Sequence, residues 1–301
     1  MNTTPRKVLV SGSSGLIGAA LCKLLQANGY QVTRLVRGGT SSASQMVWTP
    51  DKPVSAESLA GFNGVVHLAG ETIVGRWSAR KKAAIRNSRV IGTKKLAEAL
   101  ALAPRRPEVF ISASAIGYYG DRGDQILREE SPSGTGFLPE VCREWEAASK
   151  PAADAGLRTA HVRLGVVLSS AGGALAKMLL PFRLGLGGNM GNGRQWWSWV
   201  DLQDVVGAIL HVMNNGSISG GVNVVSPNPV TNAEFTMTLA SVLSRPAILP
   251  MPAFAARLAL GQMADELLLA SQRVEPAKLL TSGYTFQQPH LRESLQSILR
   301  G

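Results

Sequence analysis

From Lys7 to Leu168, short apolar runs alternate with longer stretches whose apolar positions recur every three or four residues. Lys7–Ser11, Gln31–Val36, Gly64–Leu68, Val109–Ser114 and Arg158–Leu168 read as strands. Leu16–Asn28, Ala79–Ala101 and Phe137–Ala155 read as helices; Gly29 and Gly156 close the first and third, and Pro104 stops the second. Gly38–Ser44 is small and polar, hence a loop. The run Gly64–Leu68 (Gly-Val-Val-His-Leu) is apolar on both faces, as a strand at the centre of a parallel sheet should be. Strands alternating with helices of this length imply parallel pairing through right-handed crossovers. The pattern predicts an α/β fold built on a doubly wound parallel sheet.

After Ser169 the texture changes. Glycines crowd residues 170–195, and Pro227, Pro229, Pro246, Pro250 and Pro252 punctuate the chain beyond. Asp201–Met213 reads as a helix and Gly221–Val225 as a late strand; Thr231–Leu243, Phe254–Leu260 and the end from His290 read as further helices. The expected organisation is a sheet domain over 1–168, to which 199–225 returns, with a smaller, mainly helical lobe over 169–198 and 226–301.

With 301 residues, 45% hydrophobic and 17% charged, the chain has the make-up of a soluble globular protein. The net charge of +11 stands apart. Such a balance attracts anions: nucleic acid, an acidic membrane surface, or phosphorylated small molecules. The densest basic stretch, Arg76–Lys95, places Lys82, Arg86 and Arg89 on one helix face, which either is solvated or recruits anions to a cleft. No aromatic interleaving or zinc-finger spacing accompanies it, so nucleic acid is not the expected partner. Cys22 and Cys142 are too few and too far apart for a disulfide framework or a thiolate metal site, and the histidines are scattered, so no metal is expected. No apolar run approaches the ~20 residues of a membrane span, and none of signal-peptide length precedes the first strand. A cytoplasmic protein with no membrane partner is expected.

Candidate chemistry begins at residues 8–18, Val-Leu-Val-Ser-Gly-Ser-Ser-Gly-Leu-Ile-Gly: an apolar strand, a Gly-x-x-Gly-x-x-Gly turn and the start of a helix. Gly12 permits the tight turn, Gly15 the approach of a pyrophosphate to the backbone, and Gly18 close packing of helix on strand. The backbone N–H groups of the turn and the helix N-terminus face the anion. At the end of the second strand, where a carboxylate would hold the ribose 2′-OH of NAD, the chain reads Val36-Arg37. A cation there suits a 2′-phosphate, and one charge-assisted hydrogen bond of about 1.5–3 kcal/mol corresponds to roughly 10- to 100-fold preference. NADP(H) is the expected cofactor.

These motifs have company. His67-Leu-Ala-Gly, Ser112-Ala-Ser followed by Tyr119-Gly, and Gly191-Asn-Gly-Arg-Gln followed by Trp199-Val-Asp-Leu-Gln-Asp-Val-Val resemble the extended short-chain dehydrogenases/reductases, the superfamily of nucleotide-sugar epimerases and dehydratases. Cys142–Ala147, Arg163–Leu168, Met178–Gly188, Pro229–Phe235 and Ser271–Pro276 carry the likeness nearly end to end. They are similar to its atypical, epimerase-like branch, within the NAD-dependent epimerase/dehydratase family. The resemblance implies a Rossmann-type sheet domain with a substrate-binding lobe, and a small carbonyl or hydroxyl substrate, nucleotide-sugar-like or otherwise. It wraps Ser11–Gly18, with Ser13, Ser14, Leu16 and Ile17, around the pyrophosphate and sets Arg37 on the 2′-phosphate. It places Leu68, Ala69 and Gly70 along the cofactor channel, Arg89 facing the cofactor, Val166 beside the nicotinamide, and Arg194 and Arg273 toward the substrate. Trp196, Trp197 and Trp199 either wall that pocket or, for at least two of them, belong to the core. Helices 79–101 and 137–155 resemble those that pair in dimeric relatives, which leaves a homodimer open.

The resemblance fails at the proton-transfer pair. Active members use a tyrosine and a lysine four residues on; none of Tyr30, Tyr118, Tyr119 and Tyr284 has such a lysine. The matching helix start has Phe137 and Val141, which can neither carry a proton nor supply charge. Three candidates remain. Ser114 keeps the serine position and either donates to a substrate oxygen or caps its own loop. Tyr118 is the nearest phenol. Glu71 is either an acid/base or a holder of the cofactor ribose. Arg194 and Arg273 bind an anionic substrate group or form an interdomain salt bridge. Two functions stay open: an NADP(H)-dependent oxidoreductase working largely by positioning, and an NADPH-sensing protein without turnover.

Overall fold

The computed structural model describes residues 5–300. In chain order it runs β1 (Lys7–Ser11), α1 (Leu16–Ala27), β2 (Gln31–Val36), β3 (Gln45–Val47), β4 (Gly64–His67), α2 (Ala79–Leu102), β5 (Val109–Ala115), β6 (Ile126–Leu127), α3 (Phe137–Ala147), α4 (Lys150–Asp154), β7 (Arg158–Leu164) and β8 (Val166–Leu168). Next come α5 (Gly173–Arg183), β9 (Trp196–Trp197), β10 (Trp199–Asp201), α6 (Leu202–Asn214), β11 (Gly220–Val224), β12 (Val230–Thr231), α7 (Asn232–Leu243), α8 (Ala253–Leu260), β13 (Arg273–Val274), α9 (Ala277–Thr281) and α10 (Leu291–Arg300).

Seven strands form one parallel sheet in the order β11-β7-β5-β4-β1-β2-β3. Period-two alternation builds its two layers. Val8 and Val10 of β1 bury with Leu21 and Leu25 of α1 and Ile209 of α6, while Leu9 buries on the opposite face with Leu96 and Leu100 of α2. The expected doubly wound, Rossmann-type sheet is present. The order in which strands are added reverses between β1 and β4, which opens a crevice at their carboxyl ends. The glycine stops also match: Gly29 and Gly156 take φ of +79° and +84° just past α1 and α4.

Three departures from expectation shape the sheet and the lobe. The helix expected over 137–155 is two helices, because Pro151 lacks an N–H and its ring clashes with the carbonyl four residues back, so α3 ends and α4 restarts. The strand expected over 158–168 leaves the sheet at Gly165, and β8 pairs with β10 instead. A Cβ at Gly165 would lie 2.5 Å from the Ser198 carbonyl oxygen, so the crossing needs glycine. Within the glycine-rich stretch, α5 forms from an apolar run that the surrounding glycines mask.

A second core gathers Leu175, Phe182, Trp197, Phe235, Leu239 and Leu295. The expected division gives 226–301 wholly to the lobe, yet Leu279 and Phe286 bury in the sheet's core and β13 pairs with β6. Among the described residues, no helix is long and apolar enough to cross a membrane, and no group of three or more His, Cys, Asp or Glu is placed to hold a metal.

Candidate functional site

The crevice between β1 and β4 is built by backbone proximity. Gly12 has φ +65°, and a Cβ there would sit 2.7 Å from the Leu68 carbonyl carbon; a Cβ on Gly18 would sit 2.2 Å from the Gly12 oxygen. Turn, helix and the end of β4 can therefore approach this closely only with glycine at both positions. Gly15 precedes α1 with no side-chain cap, and the first turn carries no acid. Its N–H groups lack intrahelical partners and need an outside acceptor. Ser13 is buried beneath the turn and Ser14 is exposed at its lip. This cradle fits a pyrophosphate.

Ser11 and His67 fix the crevice floor. Ser11 Oγ accepts from the Leu68 N–H at 3.1 Å and shares a hydrogen bond with His67 Nδ1 at 2.6 Å. His67 Nε2 is buried without a partner among the described residues. Burial pushes the His67 pKa down to about 4 and keeps the ring neutral.

On the flank, Arg37 is exposed at the end of β2. Glu71 Oε1 pairs with Lys81 Nζ at 2.7 Å; that contact, then the charges of Arg37 and Arg89, hold the carboxyl below the usual carboxylate range. Arg89 Nη1 donates to the carbonyls of Glu71 (3.0 Å) and Ile85 (3.2 Å), and its guanidinium lies 5.0 Å over the Trp145 ring. A Cβ on Gly70 would meet that guanidinium at 3.4 Å.

Past β5 the polar groups are locked together. Ser114 Oγ donates to Glu146 Oε1 at 2.7 Å, and Arg163 grips both Glu146 oxygens at 2.9 Å. Burial raises the Glu146 pKa, but the Arg163 hydrogen bonds outweigh it and the group stays ionised. Arg163 also donates to the Tyr119 hydroxyl at 2.9 Å and lies 3.6 Å over the Tyr118 ring. Burial pushes Tyr119 up to about 12, so it is a fixed donor to Asn223 rather than a proton carrier. The half-buried Tyr118 hydroxyl bonds to no described residue. Val166 lies on β8, partly buried, where that strand leaves the sheet.

Phe137 and Val141, expected where relatives carry the tyrosine and lysine, pack with Trp77, Ile85, Leu138 and Met263. No residue of that cluster titrates. The Glu266 carboxylate caps α3, accepting from the N–H groups of Phe137 (3.1 Å) and Leu138 (2.7 Å). Beside this cap lies a cleft of about 250 Å³ lined by Gly117, Asp121, Leu138, Arg257 and Glu266 among others.

The residues expected on the substrate side scatter. Arg194 is exposed, and Arg273 stacks 4.3 Å over Trp196, whose Nε1 donates to Asp124 at 2.8 Å. Neither arginine forms an ion pair among the described residues. Trp197 packs on Phe235 at 5.3 Å within the second core rather than on a cleft wall. Sequence reasoning passed over Lys81, Glu146 and Glu266. Glu146 had a local signal: it is an acid one turn after buried Cys142, on the apolar side of α3. Lys81 and Glu266 have none, since their roles depend on distant segments.

Comparison with known proteins agrees with this geometry. The NAD dependent epimerase/dehydratase family model matches residues 8–225, and a domain of unknown function, DUF1731, matches residues 251–298. Epimerase family protein ML0860 of Mycobacterium leprae is 41% identical over 290 residues, 96% of this chain and 94% of that protein. The crystal structure of human epimerase family protein SDR39U1 with NADPH superposes with a TM-score of 0.91 at 35% identity, covering 98% of this chain and 99% of that one. The nucleoside-diphosphate sugar epimerase of Corynebacterium glutamicum gives a TM-score of 0.83 at 40% identity, over 98% of this chain and 58% of the longer protein.

Proposed function

The chain belongs to the NAD-dependent epimerase/dehydratase family, and from that premise we propose that it is an NADP(H)-binding, epimerase-like oxidoreductase acting on a small carbonyl or hydroxyl substrate. One observation carries the cofactor reading: the uncapped, acid-free start of α1 opens at the crevice where the sheet order reverses, with Arg37 at its flank. Gly12–Gly18 would wrap the pyrophosphate and Arg37 the 2′-phosphate. Leu68, Ala69, Gly70 and Arg89 would line the channel, and Val166 would lie beside the nicotinamide. The NADPH bound by human SDR39U1 supports the same assignment. When bound, the nicotinamide gives or takes a hydride. Glu71, held ionised, suits a ribose hydroxyl better than proton transfer. Ser114, whose proton is engaged by Glu146, is set to accept from a substrate hydroxyl, and Tyr118 is the free phenol left to carry a proton. Arg194 and Arg273 would meet an anionic part of the substrate.

The test is a nicotinamide-fluorescence titration of wild type and Arg37→Ala with NADPH and NADH. The expected result is a roughly 10- to 100-fold loss for NADPH alone. Equal losses for both cofactors, or no binding of either, would overturn the assignment. The apolar cluster at Phe137 and Val141 favours a second reading, an NADPH sensor without turnover. NADPH consumption that Tyr118→Phe abolishes would exclude the sensor; a binding-induced conformational change without consumption across a carbonyl panel would favour it.

A further inference from the structure

Of the fifteen large apolar side chains exposed among the described residues, eight fall within two short segments. Leu180, Leu184 and Leu186 lie at the end of α5 and just beyond it. Ile248, Leu249, Met251, Phe254 and Leu258 lie before and along α8. The segments are laced into one face: the Leu249 N–H donates to the Gly187 carbonyl at 3.0 Å, and the Met251 N–H to that of Asn189 at 2.8 Å. Phe254 and Leu258 are one helical turn apart on α8 and are 71% and 77% exposed, so they project rather than line a groove. Burying none of this surface in the monomer is unfavourable unless something else covers it.

The charge around the face says what covers it. Between Asp154 and Asp201, and again between Glu234 and Asp265, the chain has no carboxylate side chain. Among the cations of those stretches, Lys177, Arg183 and Arg245 are exposed and not ion-paired among the described residues, whereas exposed Arg257 on α8 pairs with Asp265 at 2.8 Å. Arg245 Nε donates to the Arg183 backbone carbonyl at 3.1 Å, which holds the Arg245 guanidinium at the end of α5. A second copy docking face to face would oppose like charges. A projecting apolar ridge rimmed by unpaired cations instead matches an anionic lipid surface, with the apolar side chains entering the headgroup–acyl boundary and the cations meeting phosphates. We propose that this face docks the protein peripherally onto anionic membranes. A surface contact of this kind needs no spanning helix.

Flotation with vesicles of phosphatidylcholine, and of phosphatidylcholine with about one-quarter phosphatidylglycerol, tests the proposal. The expected result is binding to the anionic vesicles only, weakened roughly tenfold or more by Phe254→Ser with Leu258→Ser, which leaves net charge unchanged, and also by Arg183→Glu with Arg245→Glu. These exposed substitutions should leave far-ultraviolet circular dichroism and NADPH affinity as in wild type, which separates failure here from failure of the cofactor reading. Wild type that ignores anionic vesicles overturns the proposal. So does a serine pair that binds as wild type does, since the +11 charge alone would then be responsible. Self-association without vesicles, lost in the serine pair, would assign the face to a second copy and equally overturn it.

Discussion

At the level of single residues, His67 shows how a buried polar group stores a pH response. Its ring is neutral in the fold because burial holds its pKa near 4, against 6.5 in the open chain. Between those values the unfolded chain binds more protons than the folded one. Stability is therefore full above about pH 6.5 and falls as the pH drops toward 4, by on the order of 3 kcal/mol. Urea unfolding near pH 7.5 and near pH 4.5 should show that loss in wild type and a smaller one in His67→Asn, which keeps an acceptor for Ser11. Equal losses in both would show that the titration lies elsewhere. Much at this scale was legible in the sequence. Gly12 and Gly18 act through backbone contacts that any such turn imposes, and Phe137 and Val141 visibly lack a proton. The Ser114–Glu146–Arg163 chain was not, because it joins three elements whose proximity only the folded sheet creates.

At the level of elements, the helix stops Gly29 and Gly156 were readable because a left-handed terminator acts locally. The departure of β8 was not, because it depends on Ser198 filling the space where a side chain at residue 165 would go. The end of α3 was readable at Pro151, but an amphipathic pattern continuing through it outweighed that signal. The start of α3 has no cap in its own neighbourhood: Gly136 offers none, and Glu266 supplies one from afar. Glu266→Ala should leave the first N–H groups of α3 without an acceptor and cost about 1 kcal/mol, read as a lower urea midpoint at unchanged slope. An unchanged midpoint would mean that water substitutes fully for the carboxylate.

For the molecule as a whole, cofactor and fold are linked by mass action. A protein whose crevice exists only when folded gains about 2.7 kcal/mol of stability at a hundredfold excess of NADPH over its Kd. Thermal melts should rise with NADPH and rise less with NADH at equal concentration; identical rises would remove the case for Arg37. The cap on α3 has a further consequence, in time rather than energy. Leu138 and Glu266 are 128 residues apart in the chain. At ~5–20 residues per second, a ribosome takes roughly 6–26 s to deliver the second after the first. A nascent chain therefore holds its complete nucleotide turn for many seconds before the residue that caps α3 has been made.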